Sequence, residues 1–165
     1  MNAYKAPLAD IRFVLFDVLQ SEQSFARLGF HDANRELVDA ILEESARFTE
    51  TVIAPLNHTG DEDGCTLDVQ TGKVTTPPGF KEAYAQFAEN GWCGLVSPVE
   101  FGGQGMPHTV GVPVKEMIDA ANLAWGNFPL LSHGATEALK HVAEESPREV
   151  CLKPRAEGRR RELRR

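Results

Sequence analysis

The chain is poor in cysteine, poor in aromatic residues and free of long apolar runs. Its three cysteines, Cys65, Cys93 and Cys151, are odd in number and widely spaced. That spacing argues against a disulfide framework and for a reducing, cytoplasmic setting. No apolar stretch reaches the roughly 18 residues a membrane-spanning helix needs. Met1 to Leu8 lacks a basic start followed by an apolar segment, so it does not read as a secretory signal. Glycine (14) and proline (10) are too sparse for a collagenous or low-complexity chain. None of the five histidines stands three or four residues from another, and no CxxC occurs. His133 and Glu137 can share a helix face, but two ligands are not a site, and no metal is expected.

What remains is ordinary for one soluble globular domain: 165 residues, 42% hydrophobic and 25% charged. The charge is unevenly placed. Residues 1–146 hold 9 basic and 21 acidic side chains, net −12, whereas residues 147–165 hold 8 basic and 3 acidic, net +5. Six of the last eleven residues are arginine. A basic run can hold phosphate backbones, but no aromatic residue is interleaved to stack on bases. It reads as a solvated terminus, and nucleic acid is not expected as a partner.

Hydrophobic periodicity predicts an all-α helical bundle of about five helices with one irregular loop or small hairpin. Leu8, Ile11, Val14, Leu15, Val18 and Leu19 follow helical spacing, and "SEQSFARLGF" reads as a link. A long amphipathic helix is expected near residues 33–54, capped by Asp32, with Leu37, Ile41, Phe48, Val52 and Leu56 as its apolar stripe. Pro55 marks its end. Residues 57–79 are the main irregular stretch, with a hairpin or extended loop around Thr71-Gly72. Phe80, Tyr84 and Phe87 begin the next helix, and Asn90-Gly91 stops it. A further helix carries Val114, Met117, Ile118, Ala121 and Trp125, and a last one covers about residues 130–145.

The chemistry-bearing residues are few. Cys93 lies in a Gly-rich bend with no local cation, so it reads as a buried, inert thiol. Gly102-Gly103-Gln104-Gly105 lacks the GxxxxGK-S/T spacing of a phosphate cradle and reads as a tight turn between helices. Composition and periodicity therefore stop at a helical domain with no self-contained active site.

A longer motif carries more. Residues 89–107, "ENGWCGLVSPVEFGGQGMP", contain the pattern GW-x-GL-x-x-P-x-E-F/Y-GG-x-G. A helix ending in "AYAQFAENG" precedes it, and "EMIDAANLAW" and "LSHGATEALKH" follow. In motif and order this resembles the N-terminal helical domain of the acyl-CoA dehydrogenase family. The opening "YKAPLADIRFVLFDVL" resembles the leading segment of a subgroup acting on larger or sulfur-containing acyl-CoA thioesters. The resemblance divides the chain into an N-terminal extension (1–30), the helical domain (31–158) and an Arg-rich tail (159–165). After Gly158 the sequence departs from the family pattern, and the tail reads as an aberrant end.

The resemblance implies a flavoenzyme that uses FAD and desaturates an acyl-CoA thioester between its α and β carbons, in a homo-oligomer, with an unspecified electron-transfer acceptor. It implies that this chain matches only the first of three domains and is inactive alone, so no catalytic glutamate is assigned and the cofactor contacts stay unassigned. It also places Phe128, Leu131, Ser132 and Ala135 along the acyl pocket, where apolar or small side chains suit a hydrocarbon tail. Trp92 and Phe101 are expected to anchor the Gly-rich turn. The alternative is a non-enzymatic helical interaction module.

Overall fold

The computed structural model describes residues 3–142 together with residues 152, 154, 156 and 158. Among them all regular secondary structure is helical apart from one two-stranded sheet. The expectation of an all-α layer with a small hairpin holds. The Arg-rich tail and Cys151 lie outside the described residues.

Helix α1 (Leu8–Arg12) runs directly into a π-helical turn over Phe13–Val18. The wider turn shifts later side chains off the 3.6-residue period. Of the expected stripe, Ile11 and Leu15 are buried, whereas Val14, Val18 and Leu19 are exposed; Phe16, off the stripe, is buried instead. The expected link is in fact a helix, α2 (Ser21–Arg27), held to the core by buried Phe25.

Helix α3 (Arg35–Phe48) begins at Asn34 and not at Asp32. Asn34 stands immediately before the first helical residue with an extended backbone, and its Oδ1 accepts a hydrogen bond from the Leu37 amide at 2.9 Å. The buried face of α3 is rotated from the expected stripe. Val38, Leu42, Ser45, Ala46 and Phe48 are buried, while Leu37 is exposed and Ile41 half-buried. The rotation follows from two neighbours, α1 on one flank and α6 on the other. Arg12 reaches both Asp39 and Glu43 from the α1 side.

The helix continues through a second π-helical turn, Thr49–Ile53, where the Thr49 carbonyl accepts from the Ala54 amide. Pro55 then precedes a new helix, α4 (Leu56–Asp63), so the irregular stretch starts later than expected. Proline is compatible with a helix start, because the first turn has no use for the missing N–H. Strands β1 (Thr66–Leu67) and β2 (Val74–Thr75) form the hairpin, with Thr66 opposite Thr75 and Leu67 opposite Val74.

Helix α5 (Phe80–Glu89) buries Phe80, Ala83 and Phe87, and Gly91 closes it at φ 78°. Helix α6 (His108–Ala121) and helix α7 (Leu123–Val142) form the second layer. The break between them falls before Trp125, which therefore belongs to α7. Asn122 makes the break: its Oδ1 accepts from the Trp125 amide at 3.0 Å and so caps α7. Trp125 is fully buried in an aromatic cluster, edge-on to Phe87 with ring centroids 5.4 Å apart.

Candidate functional site

The Gly-rich motif folds into a knot of backbone bonds between α5 and α6. Two short 3-10 turns, Trp92–Gly94 and Val99–Phe101, lie inside it. The Gln104 amide donates to the Gly94 carbonyl, the Gly105 amide to Ser97 and the Met106 amide to Leu95. The Gln104 side chain adds a bond to the Gly91 carbonyl at 3.0 Å. Gly102 turns the chain at φ 83°. Gly103 is required by space: a Cβ there would lie 2.1 Å from the Ser97 carbonyl oxygen. These amides are spent on the turn itself. The motif is therefore a scaffold and not a phosphate cradle.

This knot, the end of α5, α6 and α7 enclose a cleft of about 350 Å³. Its walls are mainly apolar, with Leu95, Val96, Ile118, Pro129 and Leu130 among them. Cys93 is half-buried on one wall, more open than the buried thiol expected from the sequence. Trp92 is half-buried beside it, and its indole N–H is buried without a hydrogen-bond partner. Lys115 lines the cleft and is bound to Asp119 one turn further along α6. His108 and His133 meet at the rim, ring centroids 5.6 Å apart, and His108 Nε2 stands 3.7 Å from a Glu137 carboxylate oxygen. Among the described residues no group of three or more His, Cys, Asp or Glu side chains is arranged to hold a metal ion.

Helix α7 presents two different faces. Gly126, Pro129, Leu130, His133 and Thr136 recur at three- and four-residue steps and line the cleft. Phe128, Leu131 and Ala135 lie on the neighbouring face. Phe128 is half-buried and packs edge-on against Phe80 at 6.0 Å. Leu131 is 78% exposed. Ala135 is half-buried, and so is Ser132, which stands at the border and lines the cleft. The structure thus places the four residues on one continuous strip of α7, but only Ser132 belongs to the cleft. The cleft itself is not legible in the sequence, because its walls come from segments as far apart as Tyr84 and Thr136.

The described residues do not fit a flavin dinucleotide. A pyrophosphate needs clustered donors or cations. The cleft offers one lysine, already paired, and the motif amides are internally bonded.

Residues 36–159 match the family model described as acyl-CoA dehydrogenase, N-terminal domain. The chain is 36% identical over 156 residues to 3-methylmercaptopropionyl-CoA dehydrogenase of Ruegeria pomeroyi, over 94% of this chain and 26% of that protein. It is 29% identical over 150 residues to the broad-specificity linear acyl-CoA dehydrogenase FadE5 of Mycobacterium tuberculosis, over 87% of this chain and 24% of that protein. The chain spans about a quarter of the length of these two relatives.

Proposed function

The chain belongs to the acyl-CoA dehydrogenase family, through that family's N-terminal domain, and from this premise we propose that α7 forms one wall of an acyl-binding site. Phe128, Leu131, Ser132 and Ala135 contact the hydrocarbon part of an acyl-CoA thioester. The observation that carries this reading is Leu131: a large apolar side chain, 78% exposed, on a strip whose other members are aromatic or small. Leu131 stands beside exposed Leu130 and half-buried Phe128 on α7, and contiguous apolar surface of that kind marks a place where something apolar binds. The names of the two relatives point to linear or thioether-bearing acyl groups as the substrate class.

The reaction proposed for this family relationship is α,β-desaturation of the thioester, a two-electron oxidation for which FAD would be the acceptor, held by none of the residues described here. The residues described here contribute binding and not proton abstraction. None of the four strip residues is a carboxylate, so no proton-transfer step is assigned to them.

The test is an amide-resolved NMR titration of the 165-residue chain with octanoyl-CoA and with coenzyme A alone. Shifts at Phe128, Leu131, Ser132 and Ala135 that need the octanoyl group, and that vanish in Leu131→Asp, support the reading. Equal responses to both ligands overturn it. Added FAD with an artificial electron acceptor is expected to give no turnover.

A further inference from the structure

We propose that the β1–β2 hairpin is a docking edge for a partner protein, which adds an extended strand of alternating apolar and basic residues beside β1. The apolar part comes first. Leu67, Val69 and Val74 are 60%, 85% and 58% exposed. Leu67 stands opposite Val74 in the ladder, and Val69 lies two residues beyond Leu67, so the three share one face of the hairpin. The tip of this hairpin is held by its own bonds. Asp68 Oδ1 accepts from the Gln70 amide at 2.9 Å and from the Thr71 amide at 3.3 Å, and the Gly72 amide donates to the Asp68 carbonyl at 2.8 Å. Aliphatic side chains exposed together on one fixed face form an interaction surface, unlike single apolar residues scattered over a protein.

The ladder sets how a partner attaches. The Asp68 amide donates to the Lys73 carbonyl at 2.9 Å. By antiparallel alternation Leu67 and Val74 are then the non-hydrogen-bonded pair. Their backbone N–H and C=O groups point outward, one residue to each edge, where an added strand can bond to them.

Charge selects the partner and the edge. Asp68 lies between Leu67 and Val69 and so falls on the opposite face of β1. Asp61, Glu62 and Asp63 close α4 just before β1, and all three are exposed. Glu62 faces His58 at 3.4 Å, whereas Asp61, Asp63 and Asp68 form no ion pair among the described residues. A strand with apolar residues on the Leu67 face and lysine or arginine on the Asp68 face is complementary to β1. On the β2 edge the same strand would meet Lys73, which directly precedes β2. A second copy of this chain would bring like carboxylates together. The hairpin holds none of the four residues of the acyl strip, so the proposal stands apart from that reading.

The probe is a synthetic heptapeptide, blocked at both ends, with lysine at its odd positions and valine at its even ones. It is titrated into the full chain by calorimetry and amide-resolved NMR. Saturable one-to-one binding is expected, with the largest amide shifts over residues 66–69. Glutamate in place of the peptide's lysines, or serine in place of its valines, is expected to weaken binding at least about tenfold, and so is Leu67→Ser in the chain, because the charge match or the burial of aliphatic side chains is lost. Methylating the peptide nitrogens that face β1 removes the donors of the added ladder and is expected to weaken binding as well. Asp61→Asn combined with Asp63→Asn is expected to weaken binding and to flatten its salt dependence. Leu67, Asp61 and Asp63 are exposed, so these variants are expected to keep the wild-type fold. A glutamate peptide that binds as well, shifts centred on another acidic surface such as α3, or binding unchanged by Leu67→Ser or by methylation would each overturn the proposal. Self-association of the chain that Leu67→Ser abolishes would make a second copy the occupant and would overturn it too.

Discussion

The Trp125 indole N–H donates to the Phe80 carbonyl at 3.2 Å, joining α7 to the first turn of α5 across 45 residues of sequence. Trp125 is wholly buried, and Phe128, one turn on, packs against the Phe80 ring. The position of the α7 strip therefore depends on this anchor. Trp125→Phe removes one hydrogen bond and part of a large side chain. It is expected to cost about 2 kcal/mol, and Trp125→Ala about 4 kcal/mol, in urea unfolding. If Trp125→Phe unfolds at the wild-type midpoint, the bond and the packing are not what holds α7.

Asn122 sets where α7 begins. Its Oδ1 caps the Trp125 amide, and the residue is almost fully buried between two helices. Asn122→Ala is expected to lower stability by about 1 to 2 kcal/mol, and Asn122→Ser to restore most of it, because serine supplies an equivalent acceptor. Chemical denaturation of the three proteins decides the matter. Equal losses for alanine and serine would show that packing, and not the cap, is the cause.

The same residue shows what sequence can and cannot convey. Apolar periodicity locates the helical material around residues 114–145 but runs it through Asn122, because Ala121, Asn122 and Trp125 fit a continuous repeat. A cap is a local hydrogen bond and leaves no mark on hydrophobic spacing. The stripe of α1 slips because the π-helical turn at Phe13–Val18 breaks the period that pattern reading assumes, and that of α3 turns because α1 and α6 flank it on two sides. Pro55 reads as a stop in the sequence, although it equally suits a start. The hairpin and the end of α5 are legible, since Thr71-Gly72 and Asn90-Gly91 impose backbone geometry directly. The Gly-rich motif is legible as a family resemblance, whereas the cleft it helps to enclose depends on tertiary packing.

The N-terminal segment is fastened by a charge. Glu50 accepts from Lys5 Nζ at 2.6 Å and from the Ala6 amide at 3.0 Å. These bonds, the lysine first, lower the Glu50 pKa from the ordinary value of 4.5, with burial opposing them. A carboxylate whose folded pKa is lowered stabilises the fold above its unfolded pKa, and the contribution is lost as pH falls through the folded value. Stability is therefore expected to decline below about pH 4.5 more steeply in the wild type than in Glu50→Gln. Since Lys5 is largely exposed, solvent screening limits the difference at neutral pH to about 0.5 to 1 kcal/mol. Parallel urea curves from neutral to acid pH test this, and identical pH slopes for the two proteins would refute it.

Two neighbouring glycines in the motif separate backbone geometry from space. Gly102 has φ 83°, and nothing lies within 4 Å of where an alanine Cβ would stand, so Gly102→Ala meets only the conformational penalty of the left-handed region. That penalty is about 1 kcal/mol. Gly103 has no positive φ to explain it, but its Cβ would lie 2.1 Å from the Ser97 carbonyl oxygen and 2.6 Å from the Ser97 Cβ. The obstacle is mainly backbone, which cannot rotate away. The bonds from Gly105 to Ser97 and from Gln104 to Gly94 hold the same turn closed. Gly103→Ala must push the two sides of the knot apart and is expected to cost about 3 kcal/mol or more. Its effect should extend to the cleft, because Leu95 and Val96 hang from the same knot. Equal stability losses in the two variants would mean that turn conformation, and not close approach, is what the motif's glycines provide.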